Sequence, residues 1–192
     1  MPRKGIETHA IVACGEKYTF CYLPEKDEWK RLADGLSENR NCDTRMINFR
    51  DQLYTFPPYG KAERYDPVFN GWSSLDVSMR SVIVTAVKGQ IYSIQVNTST
   101  KKSTIQRFNA YVEPCLWETV LSSHEGCRVE PCVVSAGNHL YVLGGRRENE
   151  YVTKAEKFDT VEKKWEEIAD MQQRRGGAFG VATQGKIGRA HV

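Results

Sequence analysis

The stretch "LYVLGGRRENEYVTKAEKFDTVEKKW", Leu140 to Trp165, sets two adjacent glycines, Gly144 and Gly145, ahead of a charged run, an aromatic and a tryptophan. A glycine-rich phosphate cradle needs a strand, glycines alternating with other residues or ending in Gly-Lys-Ser/Thr, and then a helix whose N-terminal amides face the anion. No helical pattern follows Gly145. Instead "AEKFDT" alternates small or apolar with polar residues and stops at a turn, which is strand chemistry. The glycine pair reads as architecture, and the test of that reading is whether the stretch recurs.

It does. The four tryptophans, Trp29, Trp72, Trp117 and Trp165, are separated by 43, 45 and 48 residues, close to the period of a propeller blade. An aromatic stands seven residues before three of them: Tyr22, Tyr65 and Phe158. In the third unit the gap from Phe108 to Trp117 is nine, which implies two extra residues in a turn. Upstream of each aromatic lies a hairpin of two apolar runs, with turns expected at Arg50-Asp51, Lys88-Gly89 and Gly137-Asn138. A fifth unit begins with "AFGVATQGKI".

Each unit thus reads as four short antiparallel strands, and the chain as all-β, a partial propeller of about four four-stranded blades plus the start of a fifth. The expected units are about 10–35, 44–78, 81–121, 131–170 and 176–186, after a junction at 1–9. The tryptophans and their aromatics are expected in the core between twisted sheets. The double glycine is expected where close backbone approach or positive φ is needed.

Hydrophobic strand, Gly-Gly, variable loop, a Tyr-Asp-Pro-like turn and then Trp resemble the Kelch repeat, over roughly Ala10 to Ile187. Only the fourth unit carries the full pair; Cys14-Gly15, Pro57-Pro58 and Gln95-Val96 stand at that place in the other three. The first unit also lacks an inner strand. In the BTB-Kelch (Kelch-like) proteins that this chain resembles, that strand is supplied by the propeller's C-terminus. The repeat breaks at 187–192, "IGRAHV", which matches the translation of a common sequencing adapter and is set aside as an artefactual tail. An open arc of blades is expected to be marginally stable.

Bulk properties narrow the function. The net charge of +3 is slight and its charges alternate in sign, as in "PEKDEWKR", so nucleic acid is not expected as a partner. No apolar run reaches membrane length, so no membrane partner is expected either. Six cysteines, at 14, 21, 42, 115, 127 and 132, form no Cys-x-x-Cys pair, and His9, His124, His139 and His191 have no ligand spacing. No metal, cofactor or catalytic residue is expected, because no nucleophile has its base by motif.

The resemblance implies a protein-interaction module: the substrate-recognition propeller of a cullin-RING ubiquitin ligase adaptor. Cullin would be reached only through BTB and BACK domains outside this chain, and a cytoplasmic or nuclear location is implied. An actin-associated or other scaffolding Kelch protein is the alternative. The loops that join second to third strands, and one blade to the next, lie on one side of a propeller. They carry Tyr59, Arg80, Arg128, Arg146, Arg147, Arg174 and Arg175. Arg80 and Arg175 precede their hairpin glycines, Gly89 and Gly185, by nine and ten residues, which would set them on one rim. Arginine forks suit carboxylates; the alternative is ordinary solvated loop charge.

Overall fold

The computed structural model describes residues 11–15, 17–36, 44–49, 52–57, 60–78, 83–112, 115–126, 128–183 and the backbone of 186–189. Every regular element among them is a strand. The chain divides into two compact units, Met1–Val82 and Ile83–Val192.

The first unit holds two blades. Blade one is a three-stranded meander of β1 (Ile11–Gly15), β2 (Tyr18–Leu23) and β3 (Glu28–Arg31); blade two has four strands, β4 (Arg45–Phe49), β5 (Gln52–Phe56), β6 (Lys61–Asp66) and β7 (Gly71–Ser78). The second unit holds blade three, β8 (Val84–Val87), β9 (Gln90–Asn97), β10 (Lys102–Asn109) and β11 (Leu116–His124). Blade four is β12 (Cys132–Ala136), β13 (His139–Leu143), β16 (Ala155–Asp159) and β17 (Lys164–Glu167). A small hairpin, β14 (Arg146–Arg147) and β15 (Glu150–Tyr151), interrupts blade four between its second and third strands. A last hairpin pairs β18 (Gly180–Thr183) with β19 (Lys186–Arg189), so the ladder takes in residues 187–189 of the closing hexapeptide. The expected all-β blade architecture holds.

The turns follow from their residues. Lys88 and Gly89 both adopt positive φ, as a type I′ hairpin requires, and Gly137 supplies the positive φ of the β12–β13 turn. The expected turn at Arg50-Asp51 lies outside the described residues. Between third and fourth strands, Asp66 Oδ1 accepts from the Val68 and Phe69 amides, and Asp159 Oδ1 accepts from Val161 and Glu162. These Asx turns end on a left-handed residue, Asn70 or Lys163. In blade three the two extra residues fall in this turn, because Asn109 still faces Leu116.

The repeated aromatics meet as directly opposed cross-strand pairs. Tyr22–Trp29, Tyr65–Trp72, Phe108–Trp117 and Phe158–Trp165 have ring centroids 5.1, 5.2, 5.1 and 5.4 Å apart. That tilted geometry adds roughly 0.5–1.5 kcal/mol per pair beyond area burial. In the second unit, Val87, Tyr92, Ile94 and Ile105 of blade three pack with Leu140, Val142 and Phe158 of blade four. In β9 the four consecutive residues Ile91, Tyr92, Ser93 and Ile94 are buried, a continuous run rather than a strict alternation.

In the first unit the segment leaving blade one lies on blade two. Trp72 Nε1 donates to the Ala33 carbonyl at 3.0 Å, and the Ala33 and Leu36 amides donate to Asn70 Oδ1 and Glu63 Oε2. Trp72 is 8 % exposed. Trp29, expected in the core, is instead 57 % exposed. It has Tyr22 beside it, but no described element precedes β1 to cover its outer side. Gly15, the last residue of β1, has open space where a Cβ would stand, with nothing within 4 Å.

Candidate binding face

Four loops of the second unit come together on one side: the β9–β10 turn, the β11–β12 connection, the 144–154 loop carrying the β14–β15 hairpin, and the segment after β17. Backbone hydrogen bonds lace them. Val129 and Arg146 exchange amide-to-carbonyl bonds of 2.9 and 2.7 Å, the Arg175 amide donates to the Val152 carbonyl at 3.3 Å, and Gly177 donates to Glu130 at 2.9 Å. Lys101 of the β9–β10 turn pairs with Glu148 of the hairpin.

The double glycine is the centre of this lacing. Gly144 and Gly145 have φ of +62° and +97°, and the Gly145 amide donates to the Arg175 carbonyl at 2.7 Å. A Cβ on Gly144 would run into that same carbonyl oxygen. One on Gly145 would lie 2.9 Å from the Val129 carbonyl oxygen. Only residues without a Cβ let the loop entering blade four and the loop leaving it close on the second strand together. The pair is a backbone junction, and it fixes where the flanking arginines stand.

Those arginines fall into different states. Arg146 faces Glu130 at 3.9 Å, Arg174 pairs with Glu150 at 3.2 Å, and the Arg175 guanidinium bonds Gln173. Arg147 is exposed and makes no ion pair with any described residue. Arg128 departs from the expected open rim, being only 5 % exposed. Its Nη1 pairs with Glu156 Oε2 at 2.8 Å and its Nη2 donates to the Val142 carbonyl at 3.1 Å, so the loop is pinned to blade four from beneath. Tyr59 and Arg80 lie outside the described residues.

Beside Arg128, His124 Nε2 lies 3.4 Å from Glu156 Oε1, and its ring stacks on Trp165 at 4.2 Å with 13° between planes. A Cβ at Gly126 would collide with that imidazole. Burial alone would push the Glu156 carboxyl up, but His124 and the Arg128 guanidinium together bring it below its ordinary value of 4.5. Burial pulls the Arg128 pKa down, against the field of Glu156. A cavity of about 420 Å³ opens over this cluster, lined also by Arg147, Lys154 and Glu167. A second, of about 310 Å³, lies between Lys101, Val129, Arg146 and Arg147. Arg147 borders both.

Sequence reasoning missed Glu156, His124 and Tyr151. One signal was present for Glu156: a carboxylate or amide stands two residues before the aromatic in Glu63, Gln106 and Glu156, and Glu63 is also buried, at 1 % exposure.

Comparison with known proteins supports the repeat. Residues 127–172 match the Kelch motif, the segment that runs from the laced loop through blade four. No curated protein matches the chain. The solved "Structure of YjhT" is similar, with a TM-score of 0.68 and 14 % identity over 96 % of this chain and 72 % of that one. A novel fungal alcohol oxidase of the AA5 family, in complex with copper, has a TM-score of 0.69 and 11 % identity over 89 % of this chain and 42 % of that one. At such identities the likeness shows the fold alone. The chain is built of β-propeller blades, and the Kelch motif falls on blade four.

Proposed function

We propose that the chain is the recognition propeller of a BTB-Kelch-type ubiquitin ligase adaptor, working in the cytoplasm or nucleus, and that its laced loops hold an acidic segment of the protein to be modified. The observation that supports this reading is the convergence of Arg146, Arg147, Arg174 and Arg175 on loops locked by the Gly144–Gly145 junction, with Arg147 unpaired among the described residues. A preordered loop loses little entropy on binding, and guanidinium forks pair bidentately with carboxylates. In the sequence, Tyr59 and Arg80 stand on the corresponding loops of the first unit. Cullin is engaged through BTB and BACK domains encoded with the propeller.

The test is affinity capture with the full-length protein. Cullin and a distinct set of proteins are expected in the wild-type capture, and Arg147→Ala with Arg174→Ala is expected to lose that set while cullin remains. Capture of actin filaments without cullin would assign the protein to the scaffolding Kelch class instead.

A further inference from the structure

Tyr151 closes the β14–β15 hairpin and is 49 % exposed, although one edge of its ring lies on Gly176. Glu148, Asn149 and Glu150, just before it, are all exposed. Glu148 and Asn149 form the tip with positive φ at both positions. Two acidic residues on the N-terminal side of an accessible tyrosine are a charge pattern that a basic kinase groove reads. The hairpin has only two residues per strand, paired Arg146 to Tyr151 and Arg147 to Glu150, while its base stays held by the Val129–Arg146 bridge.

The register supplies the second half of the site. Arg146 lies directly across from Tyr151, and opposed residues share one face of the ribbon with Cβ atoms roughly 5 Å apart. Its present partner, Glu130, is 3.9 Å away and half exposed, a weak hold that a phosphate dianion can displace. We propose that Tyr151 is a phosphorylation site whose phosphate is held by Arg146. A protein tyrosine kinase transfers the γ-phosphoryl group of ATP to Tyr151 Oη. The new Oη–P bond forms as the bond to the ADP leaving group breaks, and the phenolic proton passes to the kinase's base. The inference stands apart from the proposed recognition role, but it would draw Arg146 away from any acidic partner.

The experiment is incubation of the full chain with ATP and a broad-specificity tyrosine kinase, followed by mass spectrometry and a phosphorus NMR titration. Phosphate is expected at Tyr151 in the native chain and is expected to vanish in Tyr151→Phe. Its second ionisation should fall below the about 6 of an unpaired phosphotyrosine, returning towards it in Arg146→Gln. Modification of Tyr151 only after unfolding in urea, or a titration unmoved by Arg146→Gln, would overturn the proposal. Failure of acidic peptides to bind the unmodified chain would instead count against the recognition role.

Discussion

Trp29 and Trp72 hold the same place in consecutive blades of one unit, each opposed to a tyrosine at nearly the same distance, yet one is 57 % exposed and the other 8 %. The difference comes from the neighbour and not from the blade. Trp72 is roofed by the chain leaving blade one, whose Ala33 carbonyl accepts a hydrogen bond from its indole N–H. In the second unit the partly buried Trp165 is covered differently, by the ring of His124, the last residue of β11. In the first unit each blade supplies the tryptophan and its tyrosine, and the tail of blade one turns Trp72 into core.

The largest expected effect breaks the comparison outright. Trp72→Ala should cost about 3–5 kcal/mol, as for a truncated buried aromatic, while Trp29→Ala should cost only about 1 kcal/mol for the lost ring contact. Thermal denaturation of the two variants checks this.

Next in size is the buried pair under the arginine loops. Glu156→Gln leaves Arg128 buried without its counter-charge, at a cost of about 3–5 kcal/mol. It also has a pH signature. The Glu156 pKa in the folded chain lies below its ordinary 4.5, so its contribution is fully present above that value and is lost as pH falls through the lowered one. Acid titrations followed by circular dichroism should show wild type losing more stability than Glu156→Gln over that range.

Legibility in the sequence follows the same division. The cross-strand aromatic pairs, the hairpin turns and the two-residue insertion before Trp117 are local, so spacing and turn chemistry revealed them. The exposure of Trp29 was not legible, because burial depends on a segment outside its own blade. Arg128 read as a partner-binding arginine on the open rim for the same reason: its partner, Glu156, lies 28 residues on in β16. Whether a repeat-position glycine is needed was not legible either, since that depends on another backbone closing on it, as Arg175 does on Gly144 and nothing does on Gly15.

That junction gives the next prediction. Gly144→Ala forces a side chain into left-handed φ and onto the Arg175 carbonyl, for about 2 kcal/mol or more, whereas Gly15→Ala should leave the melting temperature unchanged or slightly raised. Amide exchange at Gly145 and Gly177 should accelerate in Gly144→Ala. Smallest is Tyr65→Phe, which deletes the 2.8 Å bond to Asn70 and should cost about 1 kcal/mol. Tyr22→Phe, whose bond to Asp27 is exposed, should cost less, as paired urea melts would show.

The most direct measurement of whether a tail makes its neighbour's tryptophan core is fluorine NMR on the fluorotryptophan-labelled chain, assigned by single Trp→Phe replacements and read by the heavy-water shift of each resonance. Trp29 should show a large solvent shift and Trp72 almost none. Equal protection of Trp29 and Trp72, or equal exposure of both, would contradict the assignment of burial to the preceding blade's tail.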